Sequence, residues 1–152
     1  MKKVLYSVLA VVVMLMMMTS AGFAAPEYTG LHEQNSSEGL IKITNPDKIY
    51  STTYSKSCSI SGFAQSGAKI YVYYFDSSSG NYKLHYENGN PLMTTAGASG
   101  MFVIPLKLSA GSNNIIIRAE KDDEFQNMSL HINVLSASMF SIKSTLKAYK
   151  FN

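Results

Sequence analysis

The chain has 152 residues, 46% of them hydrophobic, with one cysteine, no tryptophan and a formal net charge of +3. Two of its basic residues lie in an N-terminal segment that is predicted below to be removed, which leaves 11 basic and 10 acidic residues. A nearly neutral chain without clusters of Lys or Arg lacks the charge that phosphate binding requires, so nucleic acid is excluded as a partner. A single cysteine also excludes an intrachain disulfide, so the core must stabilise the domain.

The N-terminus has the three parts of a secretory signal peptide: two lysines, the apolar residues 4–18 and the mostly small residues 19–25. Cleavage after Ala24 is predicted, since it places Gly22 and Ala24 at positions −3 and −1. The apolar stretch is shorter than the roughly 20 residues that a membrane-spanning helix needs. We therefore expect a protein secreted from the cell and associated with its envelope, with a signal peptide over 1–24 and no stable membrane span after cleavage.

The rest of the chain divides into three parts. Residues 25–39 are polar and show no period, which predicts a flexible leader. A β-domain is predicted over 40–136. Residues 137–152 form a C-terminal tail whose three lysines are typical of a solvated terminus.

Within the domain, short runs of alternating apolar residues separated by Gly, Asn, Asp and Ser predict strands. The clearest runs are 40–44, 57–64, 69–75, 82–87, 101–108, 114–121 and 128–135. Pro105 has no amide donor, so its strand is predicted at a sheet edge, and Gly62 indicates a bulge or a close approach of two backbones. The residues predicted to face the core are Cys58, Ile60, Ile70, Val72, Tyr74, Tyr82, Leu84, Tyr86, Phe102, Ile104, Leu106, Leu108, Ile115, Ile117, Ala119, Leu130, Ile132 and Val134.

About seven short strands, with no sustained 3.6-residue period, predict an all-β fold, an immunoglobulin-like β-sandwich. The strongest strand, over 69–75, places Tyr71, Tyr73 and Phe75 on the face opposite Ile70 and Val72. A monomer rarely leaves such an aromatic stripe bare. Either another segment such as the C-terminal tail covers it, or a partner binds there.

No motif of a known catalytic or cofactor site occurs, so the sequence predicts no enzyme, no cofactor and no metal. His32, His85 and His131 are isolated in the sequence and predicted to be exposed. The acidic run 122–124 could chelate Ca²⁺ with help from Asp76, but its spacing is typical of an ordinary acidic turn. Cys58 lies two residues before Ile60 in an alternating run and has no His nearby in the sequence, which predicts a buried and unreactive thiol.

The series SISGFAQSGAKIYVYY, a Gly before Phe102, and a turn with Gly111 before Asn114-Ile115-Ile116-Ile117 resembles the bacterial immunoglobulin-like domains of secreted Gram-positive proteins. The resemblance covers about residues 45–135. It implies a spacer, an adhesive module or an accessory carbohydrate-binding unit, although here no catalytic domain lies beside it.

These observations together predict an exported, non-catalytic module with an interaction or structural role at the cell envelope, whose partner is an envelope or extracellular protein. The alternative is a carbohydrate-binding module that uses the Tyr71, Tyr73 and Phe75 stripe. The absence of Trp weakens that alternative. A secreted hydrolase or inhibitor is the remaining rival, and no nucleophile arrangement in the sequence supports it.

Overall fold

The computed structural model describes residues 25–30 and 35–136, and these residues form an all-β structure. The predicted signal peptide and C-terminal tail lie outside the described residues. The strands are β1 (Tyr28–Thr29), β2 (Ile41–Asn45), β3 (Tyr50–Thr53), β4 (Ser57–Ala64), β5 (Lys69–Asp76), β6 (Asn81–Leu84), β7 (Tyr86–Glu87), β8 (Asn90–Pro91), β9 (Met93–Thr95), β10 (Met101–Lys107), β11 (Gly111–Lys121) and β12 (Glu124–Val134). In this part of the chain, no helix has the length and hydrophobicity needed to cross a membrane.

Two sheets make up the sandwich. The larger has the order β1-β6-β5-β11-β12-β3, with β9 also pairing with β5, and the smaller has the order β10-β4-β2. Strands β7 and β8 form a separate two-stranded hairpin. All pairings are antiparallel except that of β3 with β12.

The order of the strands is that of an immunoglobulin-like sandwich. Such domains pair strands A, B and E in one sheet and C, F and G in the other, which strand C′ extends in variable-type domains. Strands β2, β4 and β10 take the places of A, B and E, while β5, β6, β11 and β12 take those of C, C′, F and G. The prediction of an all-β sandwich with about seven main strands is confirmed, and five shorter strands add to it.

The hydrophobic core lies between the two sheets. Strand β10 is the plainest case, since exposed and buried residues alternate along its whole length. Most of the predicted core is confirmed: Ile60, Ile70, Val72, Phe102, Ile104, Leu106, Leu108, Ile115, Ile117, Ala119, Leu130, Ile132 and Val134 are all buried in one cluster. Cys58 and Tyr74 pack against the same cluster but are only partly buried.

The predicted inward position of Tyr82, Leu84 and Tyr86 is wrong. Tyr82 and Leu84 are buried on the opposite face of the larger sheet, and Tyr86 is 48% exposed. The reason is register: Leu84 pairs with Tyr73, so both side chains point to the same face. Alternation shows which residues share a face, but it does not show which face is the core.

Two predictions about the smaller sheet are confirmed. Strand β10 lies at its edge, pairing only with β4 among the described strands, and so accommodates Pro105. Gly62 marks a close approach, because a Cβ atom built there would lie 2.1 Å from the carbonyl oxygen of Lys42. The ladder between β2 and β4 shifts register beside this point, between Ile43 and Asn45.

The predicted flexible leader is corrected where the structure describes it. Strand β1 pairs with β6, and the backbone N–H of Leu84 donates to the carbonyl of Glu27 at 2.8 Å. Farther along, the N–H of Ser36 donates to the carbonyl of Phe125 at 3.1 Å, and that of Asn127 to Asn35 Oδ1 at 2.8 Å. Backbone pairing of this kind requires no apolar period, so a polar composition does not reveal it. The described residues of the leader therefore belong to the domain.

Candidate functional site

The outer face of the larger sheet, which points away from the core, carries the predicted aromatic stripe. Tyr71 and Tyr73 are 5% and 0% exposed, whereas Phe75 is 44% exposed. Ile70 and Val72 lie in the core, so the predicted separation of the two faces is confirmed. The stripe is covered at Tyr71 and Tyr73 and open to solvent only at Phe75.

The described part of the cover comes from the leader. The hydroxyl of Tyr73 donates to the carbonyl of Pro26 at 2.9 Å, and Ala25 packs against the same apolar group. This second cluster consists of Tyr71, Tyr73, Tyr82, Leu84 and Ile116. The sequence offered the C-terminal tail as a cover, and that segment lies outside the described residues.

A buried arginine joins the leader to the sheet. Arg118 is 6% exposed, and its Nε donates to Glu120 Oε1 at 2.5 Å. Its Nη1 donates to Thr29 Oγ1 at 3.4 Å, and its guanidinium carbon lies 3.8 Å from the centre of the Phe125 ring. A guanidinium that is both paired with a carboxylate and stacked on an aromatic ring meets the cost of its burial. The charge is therefore a structural element of the leader contact.

A pocket of about 330 Å³ opens beside Arg118, where strands β11 and β12 meet in a tight turn. We call it the acidic pocket because its carboxylates outnumber its single guanidinium: Glu120, Asp122, Asp123 and Glu124 line it. Pro26 of the leader forms part of its wall. Burial, and after it the charge of Glu120, raises the pKa of the neighbouring Tyr71. The negative potential thus reaches the second cluster.

The suggestion that Asp76 helps this turn to chelate Ca²⁺ is wrong. Lys69 at the start of β5 pairs with Glu120, whereas Asp76 lies at the other end of β5. Seven residues of extended strand separate them by about 23 Å. Among the residues that the structure describes, no group of three or more His, Cys, Asp or Glu is placed to hold a metal ion.

A row of side chains crosses five strands of the outer face next to the second cluster. His131 pairs with Tyr50 and with Asn114, and Phe75 pairs with Tyr82. Ile115 pairs with Tyr74, which places Asn114 beside Phe75 and completes the row. We call Tyr50, His131, Asn114, Phe75 and Tyr82 the outer row. Its two exposed rings, Tyr50 at 75% and Phe75 at 44%, are three strand spacings apart, about 14 Å.

Polar groups fill the space between these two rings. His131 Nδ1 lies 2.5 Å from Asn114 Oδ1, and His131 Nε2 lies 3.3 Å from Ser112 Oγ. An amide oxygen only accepts hydrogen bonds, so Nδ1 donates to Asn114 Oδ1, while Nε2 and the hydroxyl of Ser112 share a hydrogen bond. The rings of Tyr50 and His131 are 5.4 Å apart. The surface between the exposed rings is therefore hydrogen-bonding and fixed by cross-strand contacts.

The Ser112, His131 and Asn114 chain has the hydrogen-bond order of a serine hydrolase triad. Such a site also needs converging N–H donors for the oxyanion. Here the backbone around Ser112 and Asn114 pairs in the β11–β12 ladder, opposite Asn133 and His131. The trio also lies on the face of a sheet, and its third member is a neutral amide. The arrangement can donate and accept hydrogen bonds to a ligand, and it lacks the anionic third member that stabilises an imidazolium.

The other exposed apolar side chains of note lie on the outer face of the smaller sheet. Phe63 pairs with Met101 across β4 and β10, and Val103 follows on the same face. They are 49%, 58% and 58% exposed. The cross-strand partner of Val103 on this face is Ser61 and that of Phe63 is Lys42, so the patch is a second, mainly apolar surface with polar neighbours.

Cys58 lies at the border between the core and a groove of about 410 Å³. The groove is lined in part by Glu87 and Lys107, which form an ion pair. Burial raises the pKa of the Cys58 thiol, and burial also raises the pKa of Tyr74 to about 12, with Cys58 and Glu87 as further causes. The predicted inward direction of Cys58 is confirmed, while its full burial is not.

We expect the thiol of Cys58 to react with a small disulfide reagent more slowly in the native protein than in the urea-unfolded chain. The thiolate is the reactive form, and a raised pKa lowers its fraction at a given pH. Because the groove reaches the thiol, native labelling should still go to completion without denaturant. Equal rates in the two states, measured by absorbance at pH 8, would show that the fold does not shield Cys58.

Sequence reasoning missed Tyr50, Ser112 and Asn114, and it placed His131 correctly on an outward face without its partners. These residues are far apart in the chain and meet only through the pairing of β3, β12 and β11. The one usable signal was the outward position of His131 in an alternating strand. Nothing in the sequence set the register that brings Asn114 beside it.

A scan against protein-family models finds no family that matches this chain, and a search of curated proteins finds no match either. The resemblance to bacterial immunoglobulin-like domains therefore stays a prediction from the sequence, next to the strand order described above.

Proposed function

We propose that this chain is an exported, non-catalytic, immunoglobulin-like module that has an interaction or structural role at the bacterial cell envelope and binds its partner through the outer row. The observation that carries the proposal is the pair of exposed rings, Tyr50 and Phe75, on one rigid face with hydrogen-bonding side chains between them. Aromatic side chains with little entropy to lose, next to polar groups, are typical of protein binding surfaces.

The proposed binding site contains other residues than the stripe that the sequence suggested. Of Tyr71, Tyr73 and Phe75, only Phe75 is open to a partner, and the two buried tyrosines support the surface from beneath the leader. Tyr50 and the Ser112, His131 and Asn114 chain take the place of the buried rings. A non-catalytic role is supported by the engagement of the surrounding backbone in the sheet ladder.

A neutral oligosaccharide is the alternative partner, and one observation favours it. Between the two exposed rings lie side chains that donate and accept hydrogen bonds, which suit hydroxyl groups. The rings are about 14 Å apart, so only an extended ligand touches both. A protein partner remains the main proposal because the second apolar patch at Phe63, Met101 and Val103 is of the kind that protein contacts cover.

The test is co-sedimentation of the purified protein with envelope fragments of the source cells. We expect binding that Tyr50→Ala and Phe75→Ala each weaken. Tyr86→Ala is the matched control, since Tyr86 is 48% exposed but lies on the separate β7–β8 hairpin. Binding that is lost after protease treatment of the fragments indicates a protein partner, and binding lost after periodate oxidation indicates a glycan.

A loss of binding can be interpreted only if the variant is as stable as the wild type. Substitutions of exposed residues usually alter the free energy of unfolding by only about 0.5 kcal/mol. Absence of co-sedimentation, or equal binding by the wild type and both outer-row variants, would overturn the proposal.

A further inference from the structure

The acidic pocket stands at the point where the predicted signal peptide ends. Ala25, the first residue after the predicted cleavage site, packs against the second cluster, and Pro26 forms part of the pocket wall. Consecutive Cα atoms are about 3.8 Å apart, so Ala25 is one residue away from the pocket wall. The first residue after the predicted cut thus contacts the sheet.

Cleavage changes the chemistry of that nitrogen. A signal peptidase hydrolyses the Ala24–Ala25 amide with one water molecule, leaving a carboxylate on Ala24 and an ammonium group on Ala25. Before the cut the nitrogen is a neutral amide with one N–H, and after it the nitrogen carries a positive charge and three N–H donors. An ammonium group at the edge of a negative pocket is held by its carboxylates.

The basic side chains near the pocket do not pair with all of its carboxylates. Arg118 is committed to Glu120, Thr29 and the Phe125 ring, and Lys121 Nζ turns to Gln65 Oε1 at 3.3 Å. Lys69, the cross-strand partner of Glu120, is exposed. Within residues 25–30 and 35–136, the structure records no ion pair for the carboxylates of Asp122, Asp123 and Glu124.

We propose that the acidic pocket binds the chain's own new N-terminus: the α-ammonium group of Ala25, created by cleavage after Ala24, pairs with the carboxylates of the Asp122–Glu124 turn. The first residue of the leader, which already packs against the second cluster, then gains an ion pair only in the processed protein. Export thereby strengthens the cover over Tyr73, whose hydroxyl bonds to the carbonyl of the next residue, Pro26. The inference rests on the proposed export and on the predicted cleavage position.

Two measurements keep the inference separate from the proposed function. The intact mass of the protein secreted by the source cells shows whether it begins at Ala25. A different first residue overturns the predicted processing, and the inference with it, but leaves binding through the outer row untouched. A chain that starts at Ala25 is then selectively acetylated on its α-amino group at slightly acidic pH, where lysines are protonated and unreactive.

We expect acetylation to lower the urea midpoint of the wild-type chain, and to do so less at 1 M salt, where exposed charges are screened. The effect should disappear in the triple variant Asp122→Asn, Asp123→Asn, Glu124→Gln. Asn tolerates the positive φ of 54° found at Asp122, so the turn is retained. Glu120 is left intact because it neutralises buried Arg118.

Asp47→Asn is the matched control, since it removes a carboxylate from an exposed turn that is not part of the pocket, and acetylation should lower its midpoint as in the wild type. An acetylated wild-type chain with an unchanged midpoint would overturn the inference. So would an equal loss in the wild type and in the triple variant.

Discussion

Replacing Phe102 by Ala is expected to lower the free energy of unfolding by about 3 to 5 kcal/mol, a large part of the roughly 5 to 15 kcal/mol typical of a domain. Phe102 is 4% exposed, and its ring fills the core opposite Gly62 on the neighbouring strand. Gly62 has no side chain to move into the space, and its backbone is held against Lys42. The cavity therefore stays open instead of collapsing.

Val103→Ala is the control for this prediction. Val103 follows Phe102 in the same strand, points to the opposite face and is 58% exposed. Its replacement should change the free energy of unfolding by only about 0.5 kcal/mol. Urea unfolding followed by circular dichroism measures both, and similar losses for the two variants would mean that the assignment of faces in β10 is inverted.

The alternation within single strands allowed much of the fold to be predicted. In β10 and β12 the buried residues are the predicted ones, because a strand with one face in the core must alternate. In β11 the predicted Ile115, Ile117 and Ala119 are buried, but Asn113, Ile116 and Arg118, which were not predicted, are buried as well. The same rule failed at Tyr82 and Leu84, where the apolar face covers an aromatic stripe rather than the core. A strand that faces the core and a strand that covers the stripe both bury apolar side chains on one face. The alternation in the sequence is therefore the same in both cases.

The elements that sequence analysis missed are held by backbone pairing. Strand β3 has the sequence YSTT, in which no apolar period occurs, and it is fixed by its parallel ladder with β12. The leader is similar, since β1 and residues 36–37 pair through main-chain groups. Such contacts depend on which strand edges are free, and only the assembled sheet determines that.

The candidate site shows the same limit. The outer row consists of residues from five strands, and a shift of one residue in any ladder would turn its side chain to the other face. Tyr50, Asn114 and His131 meet because two separate registers agree, that of β3 with β12 and that of β12 with β11. By contrast, the separation of Tyr71, Tyr73 and Phe75 from the core depended on one strand alone, and it was predicted correctly.

Tyr73 is the best residue for testing whether the stripe is covered by another segment of the chain or open to solvent, because the two alternatives predict very different losses of stability. It is the largest of the fully buried side chains, at 0% exposure. Tyr73→Ser should cost about 3 to 5 kcal/mol, as expected for the loss of a buried aromatic ring. If the ring faced solvent, the same change would cost only about 0.5 kcal/mol. The denaturant midpoint distinguishes these values directly.

Tyr73→Phe then identifies the segment that covers the ring. This change removes only the hydroxyl that donates to the carbonyl of Pro26, so it should cost about 1 kcal/mol in the full domain. In a chain that lacks residues 25–30, that carbonyl is gone and the cost should fall toward zero, which a double-mutant cycle measures as coupling. Deleting residues 137–152 should leave the cost of Tyr73→Phe unchanged. The reverse outcome, with coupling to the tail and none to the leader, would mean that the C-terminal segment supplies the partner of the Tyr73 hydroxyl.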